Sequence, residues 1–179
     1  MFKHETQVIK FLLQWYSVNA RNLPWRKKNT LNLPDPYFVF VSEYMLQQTT
    51  VNTVKNKFND FILKWPSLNK LAQTSEPNIL KFWSGLGYYS RARNLLKSAK
   101  IIHKNFKNNI PKTYDELIQL PGIGDYTAKA ILGIGFNQSV MPLDANIERI
   151  LVRLYAIDKP INKVKNKLKD LGKKFISDK

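Results

Sequence analysis

The sequence predicts an all-α fold, and three observations predict it. Apolar residues recur at helical spacing along most of the chain. No strand-like alternation of useful length interrupts them, and no repeat of about 20–50 residues appears. Prolines, glycines and capping residues stand between the periodic stretches, where helices must start or stop.

The elements follow in order. Val8, Phe11, Leu12, Trp15 and Tyr16 form one apolar stripe of an N-terminal helix. Pro24, Pro34 and Pro36 then impose a loop. A long helix is expected from near Ser42, burying Val51, Val54, Phe58, Phe61 and Ile62. Ser75 and Pro77 open a short helix that ends near Gly85. Leu95, Leu96, Ala99 and Ile102 mark the next one. Thr113-Tyr114-Asp115-Glu116 is a capping-box pattern ahead of Leu117 and Leu120. A further helix follows Gly124. Asp144 precedes Ile147, Ile150, Leu151 and Leu154, again at helical spacing. Asn162 opens a last helix with Val164, Leu168, Leu171 and Phe175 inward and lysines outward.

Composition narrows the function classes. A hydrophobic content of 44% with 12% aromatics is enough for a packed core, so disorder is not the default. No apolar run approaches the ~18 residues of a membrane span, and the first residues lack the pattern of a signal peptide. Both points read as a cytoplasmic protein without membrane contact. Cysteine is absent, which excludes disulfides and any thiolate-held metal or iron–sulfur cluster within this chain. The net charge of +16 attracts polyanions by counterion release. Abundant lysine is also what an AT-rich genome would give, and eight lysines fall in the last 21 residues, where they can simply solvate a helix face. Charge alone therefore does not decide for nucleic acid.

Three loops carry sharper signals. Leu120-Pro121-Gly122-Ile123-Gly124 lies between two predicted helices, and its glycines allow a close backbone approach suited to a phosphate. A plain helix–turn–helix connection would also use such glycines. Asp144, twenty residues after Gly124, stands where a helix cap belongs, and most such aspartates do nothing else. Glu43 lies among Val39, Phe40, Val41, Tyr44, Met45 and Leu46. It is expected in the first turn of its helix, where a negative charge is favourable. Burial among these residues should raise its pKa against that pull. Two carboxyls suit base excision: one protonates a poor leaving base, and the other stabilises an oxocarbenium-like sugar.

Together with these loops, Ser42 to Thr49, Gly85-Leu86-Gly87-Tyr88-Tyr89-Ser90-Arg91-Ala92-Arg93-Asn94-Leu95 and Leu23-Pro24-Trp25-Arg26 resemble the adenine-specific mismatch DNA glycosylases of the helix–hairpin–helix superfamily. The resemblance spans roughly residues 8–157. It implies removal of adenine mispaired with 8-oxoguanine or guanine in double-stranded DNA, after the base is flipped out of the stack. It implies that Glu43 protonates adenine, Asp144 stabilises the sugar cation, Asn146 orients Asp144 and Tyr126 lies near the scissile bond. Arg21, Leu23 and Trp25 would line the adenine pocket. Gln48 and Tyr88 would wedge into the duplex, and Gly122 and Gly124 would hold a backbone phosphate. Tyr88, Tyr89, Trp25 and Trp83 can equally be core residues, and Trp83 is read that way.

The implied architecture is a six-helix barrel over residues 28–137, with 1–27 and 138–179 forming a partial second lobe. DNA would lie in the cleft between them, with Glu43 and Asp144 facing each other. The protein is expected to be a monomer near the bacterial nucleoid. The family continues into a four-cysteine 4Fe-4S loop and a C-terminal domain that reads 8-oxoguanine, and neither is found in this sequence. The stretch from Lys27 to Pro34 is a few residues longer than in some members. Ala145 stands where the family usually has glycine, so either the backbone there is helical or activity is reduced. Two other readings stay open. An endonuclease III-type glycosylase/lyase would need a lysine at Tyr126; Lys129 lies nearly a turn further on. A fragment that binds DNA without cutting it would retain the same motifs.

Overall fold

The structure is a computed structural model that describes residues 3–26 and 33–176. The longer loop read between Lys27 and Pro34 lies almost wholly outside the described residues. All regular structure among them is helical, with no β-strand. The helices are α1 (Lys3–Asn19), α2 (Pro36–Leu46), α3 (Val51–Lys64), α4 (Leu68–Ala72), α5 (Glu76–Trp83), α6 (Ser90–Phe106), α7 (Tyr114–Ile118), α8 (Asp125–Ala130), α9 (Ala145–Leu154) and α10 (Ile161–Lys173). A 3-10 turn, Pro24–Arg26, precedes α2, and α8 runs on into a π-helical segment, Ile131–Gly135. No described helix is long and apolar enough to cross a membrane. The chain divides into two compact units, residues 23–138 and residues 1–22 with 139–179.

The larger unit is built around α2. Every residue of α2 from Val39 to Met45 is buried, so this helix is enclosed on all sides rather than amphipathic. It packs against α3, α6, the 3-10 turn and the π segment. Phe40, Phe58, Phe61, Trp83, Leu95, Ile102, Leu117 and Ile131 complete the core. Leu23–Arg26 belongs to this unit, although the sequence places it with the other lobe. The physical reason is Trp25, whose ring packs edge-on against Phe58 at 5.4 Å.

The long helix expected from Ser42 is two helices. Asp35 caps α2 by accepting from the Tyr37 amide at 2.8 Å, and Pro36 occupies the first turn. The chain breaks after Leu46, and Thr50 caps the restart at Val51. Gln48 takes a left-handed conformation (φ 57°) in between. Thr113 caps α7: its hydroxyl oxygen accepts from the Glu116 amide at 3.4 Å, while the Glu116 carboxylate accepts from that hydroxyl at 2.6 Å and not from the Thr113 amide that a full capping box would use.

In the smaller unit Leu151, Val164 and Leu168 form the core, with Leu143, Ile147, Val152, Tyr155, Ile161 and Phe175 packed on it. Ile150 and Leu154, expected inward by spacing, stay exposed. Helix α1 is held by its first turn. The Glu5 carboxylate is buried, accepts from the Tyr155 hydroxyl at 2.6 Å and lies 3.5 Å from Lys174 Nζ. Beyond that anchor the apolar stripe is largely exposed among the described residues. Phe11, Leu12, Trp15 and Tyr16 are exposed, as are Leu13 and Val18.

Candidate active site

Glu43 projects from the most deeply enclosed helix and is itself only 7% exposed. Burial pushes its carboxyl from 4.5 up to about 7, and the charge of Arg26 pulls partly against this. The expected place in a first helical turn is corrected. Helix α2 starts at Pro36, so Glu43 sits in its last turn, where the negative end of the helix disfavours an anion. Desolvation and helix position thus act in the same direction. At neutral pH this carboxyl carries its proton a substantial part of the time and can act as a general acid.

The end of α2 also holds the hairpin. Tyr44 donates from its hydroxyl to the carbonyl of Pro121 at 2.5 Å, and Ser98 Oγ lies 3.1 Å from the same oxygen. Gln47 Nε2 donates to the Gly122 carbonyl at 3.1 Å. Gly122 has φ 82°, and a Cβ there would lie 2.9 Å from the Cβ of Asn94 and 3.1 Å from the Tyr44 ring. Only glycine fits it. Gly124, the residue before α8, has an ordinary φ of −101°, and a Cβ there would meet nothing within 4 Å. Tyr126, in the first turn of α8, is partly exposed. Lys129 pairs with Asp125 at 2.8 Å and lies over the Tyr114 ring at 5.7 Å.

Gln48 and Tyr88 are both exposed, and both are non-glycine residues at positive φ (57° and 46°). Such backbone costs on the order of 1 kcal/mol each and persists only where the surroundings impose it. Both segments are held by Arg91, a residue whose role sequence reasoning missed. Its buried guanidinium donates to the carbonyls of Tyr44 (3.2 Å), Met45 (2.7 Å), Gln47, Leu86 (2.7 Å) and Gly87 (3.0 Å). It thereby caps the open carbonyls at the end of α2 and ties them to the loop before α6. Trp83, fully buried, adds an indole N–H to the Gly87 carbonyl at 3.1 Å. The signal for Arg91 was its register: it shares the buried stripe of α6 with Leu95, Ser98 and Ile102.

In the smaller unit Asp144 caps α9, accepting from the Ile147 amide at 2.8 Å through one carboxylate oxygen. The Asn146 side-chain amide donates to the other at 3.3 Å. Ala145 is the first residue of α9 and has no positive φ, so alanine in place of glycine is accommodated. Arg21 is exposed in this unit. Leu23 and Trp25 are buried in the larger one. Among the described residues no group of three or more His, Cys, Asp or Glu is placed to hold a metal ion.

Residues 41–174 match the family described as HhH-GPD superfamily base excision DNA repair protein. The chain is 46% identical over 149 residues to the adenine DNA glycosylase of Buchnera aphidicola subsp. Schizaphis graminum, covering 83% of this chain and 42% of that protein. It is 42% identical over 164 residues to the adenine DNA glycosylase of Homo sapiens, covering 88% of this chain and 30% of that one. The chain thus spans less than half the length of these relatives. Among solved structures, a thermostable thymine-DNA glycosylase superposes with a TM-score of 0.84 at 24% identity, covering 98% of this chain and 79% of that one. A trapped endonuclease III–DNA covalent intermediate gives 0.75 at 19%, covering 98% and 81%. At such identities the likeness shows the fold alone.

Proposed function

The chain belongs to the HhH-GPD superfamily of base excision DNA repair proteins, and on that premise we propose that it removes adenine mispaired with 8-oxoguanine or guanine in double-stranded DNA. The observation that supports this most is Glu43, a carboxyl held near pH 7 by burial at the end of an enclosed helix. Adenine leaves only when its ring is protonated. Glu43 gives that proton as the N-glycosidic bond breaks, and a water then adds its hydroxyl to the sugar carbon while its other proton returns to the Glu43 carboxylate. Asp144 stabilises the cationic sugar between these events, in the two-carboxylate logic of glycoside cleavage. Asn146, amide to carboxylate, holds Asp144 in one orientation, and Tyr126 lies near the scissile bond. Arg21, Leu23 and Trp25 shape the adenine pocket, Gly122 and Gly124 take a backbone phosphate, and Gln48 and Tyr88 enter the stack.

The reaction is monofunctional in this reading. Tyr126 stands where a lyase would carry its lysine, and Lys129 is engaged by Asp125. The family resemblance implies a 4Fe-4S cluster, but with no cysteine among 179 residues this chain offers no thiolate ligand, and no step involves one. We place the protein, as a monomer, on cytoplasmic DNA at the nucleoid. The test is single-turnover adenine release from duplexes with adenine opposite 8-oxoguanine or guanine. Release without any borohydride-trapped protein–DNA adduct is expected. Binding without release would leave a DNA-binding fragment, and a trapped adduct would point to lyase chemistry.

A further inference from the structure

Five main-chain carbonyls from two separate segments converge on one side chain, the guanidinium of Arg91. Three belong to the end of α2, immediately before Gln48, and two to Leu86 and Gly87, immediately before Tyr88. The Arg91 amide also donates to the Tyr88 carbonyl at 3.0 Å. Its guanidinium carbon lies 5.6 Å from the Tyr88 ring centre and 5.5 Å from that of Trp83. Thr49 Oγ1, at 3.4 Å from the Leu86 carbonyl, links the loops a second time. The two exposed left-handed residues are therefore mounted on one buried bracket.

We propose that Arg91 is a positioning residue for base extrusion: it fixes Gln48 and Tyr88 relative to each other, so that they part the base stack as a unit. The proposal rests on the reading above that these two side chains enter the duplex. The guanidinium suits the task because its planar fork presents donors in several fixed directions, whereas an ammonium on a flexible stem serves one point. A wedge must already hold its shape when it meets the stack, since unstacking is uphill until the base is captured. With Arg91 intact the two tips meet the duplex without reorganising. Without it each loop relaxes from its left-handed backbone, and the tips separate.

The experiment uses the full chain and a duplex with 2-aminopurine in place of the target adenine, opposite 8-oxoguanine. Its fluorescence rises when the base leaves the stack, whether or not a bond is cut. Arg91→Lys keeps the charge but cannot span both loops. It should lower the extrusion signal roughly ten- to 10²-fold, as misplacement of a distant support does. Affinity for undamaged duplex, carried by phosphates, should stay unchanged. Release of adenine placed opposite an abasic-site analogue, where no pairing resists extrusion, should fall far less than release from the full duplex. Gly87→Ala is the second variant, for use if Arg91→Lys fails to fold. Its Cβ meets nothing within 4 Å, so it acts only on the loop's left-handed backbone (φ 68°), and it should share the selective loss. Wild-type extrusion by the variant, or equal loss on both substrates, overturns the proposal. If the wild-type protein extrudes 2-aminopurine but releases no adenine, the catalytic reading fails, and loss of extrusion in Arg91→Lys upholds the role of Arg91 while unchanged extrusion overturns it. If it extrudes nothing, the proposal falls.

Discussion

The hydroxyl of Tyr44 lies 2.5 Å from the carbonyl oxygen of Pro121, a residue 77 positions away in the chain. This contact attaches the hairpin to the helix that carries Glu43, with Ser98 sharing both partners. Tyr44→Phe removes the donor and leaves the volume. It should cost about 1–3 kcal/mol in denaturant unfolding, since Ser98 must then satisfy the carbonyl alone. Unchanged stability would mean that the hairpin is held by packing.

The two hairpin glycines should separate fold from binding. Gly122→Ala forces φ 82° on an L-residue and a 2.9 Å approach to Asn94, so it should destabilise by on the order of 1–3 kcal/mol. Gly124→Val puts a Cβ where nothing lies within 4 Å, at an ordinary φ, so it should cost far less stability than Gly122→Ala, limited to the loss of a good N-cap residue for α8. It should weaken binding to matched and mismatched duplex alike and flatten the salt dependence. A loss confined to mismatched duplex would contradict a phosphate contact.

Glu43 sets stability against activity. Its unfolded-state pKa is 4.5 and its folded value about 7, so the folded state holds the proton more tightly. Stability therefore falls as pH rises from 4.5 to about 7, by roughly 3 kcal/mol in all at 1.36 kcal/mol per unit, and stays low above that. Glu43→Gln mimics the protonated form. It should raise the melting temperature at pH 8, change it little at pH 4, and abolish adenine release at both. In the wild type the single-turnover rate should decline as pH rises through about 7. A flat profile, with an active Glu43→Gln, would remove Glu43 as the proton donor.

Asp144→Asn isolates charge from capping. Asparagine accepts from the Ile147 amide as well as aspartate does, so helix α9 should keep its cap. Loss of a carboxylate facing a developing cation should still slow release by an amount equivalent to about 3 kcal/mol or more. Asp144→Ala should in addition lose about 1 kcal/mol of stability. Near-normal turnover in Asp144→Asn would reduce Asp144 to a cap.

Much of this was legible in the sequence because local chemistry sufficed. Thr113 with Glu116 and Asp144 with Ile147 are caps that form as their spacing predicts. The burial of Glu43 follows from its apolar neighbours. Its place at the end of a helix did not, because Asp35-Pro36 is a start signal that two other nearby prolines obscure. The break at Gln48 has no glycine or proline to mark it; the carbonyl before it is bound by Arg91, 44 residues beyond Gln47, a contact that local sequence does not reveal. Arg91 itself was hidden because a charged residue beside Arg93 in a basic chain reads as solvated. The α1 stripe shows the converse: periodicity reports which side chains share a face, and says nothing of what covers it.

The bracket at Arg91 has a consequence for how this protein can vary. Every acceptor it uses is a peptide carbonyl, which all twenty amino acids possess. Side chains at Met45 and Leu86 can therefore be exchanged, within what their own packing allows, without removing a hydrogen bond from the bracket, whereas Gly87 is bound by its left-handed backbone and Tyr44 by its own hydroxyl contact. Tolerance on that side is bought with fragility on the other. One codon specifies the donor, and no compensating change in either loop can restore its fork. Genetic drift around this site should thus be lopsided, wide at Met45 and Leu86 and narrow at a single arginine.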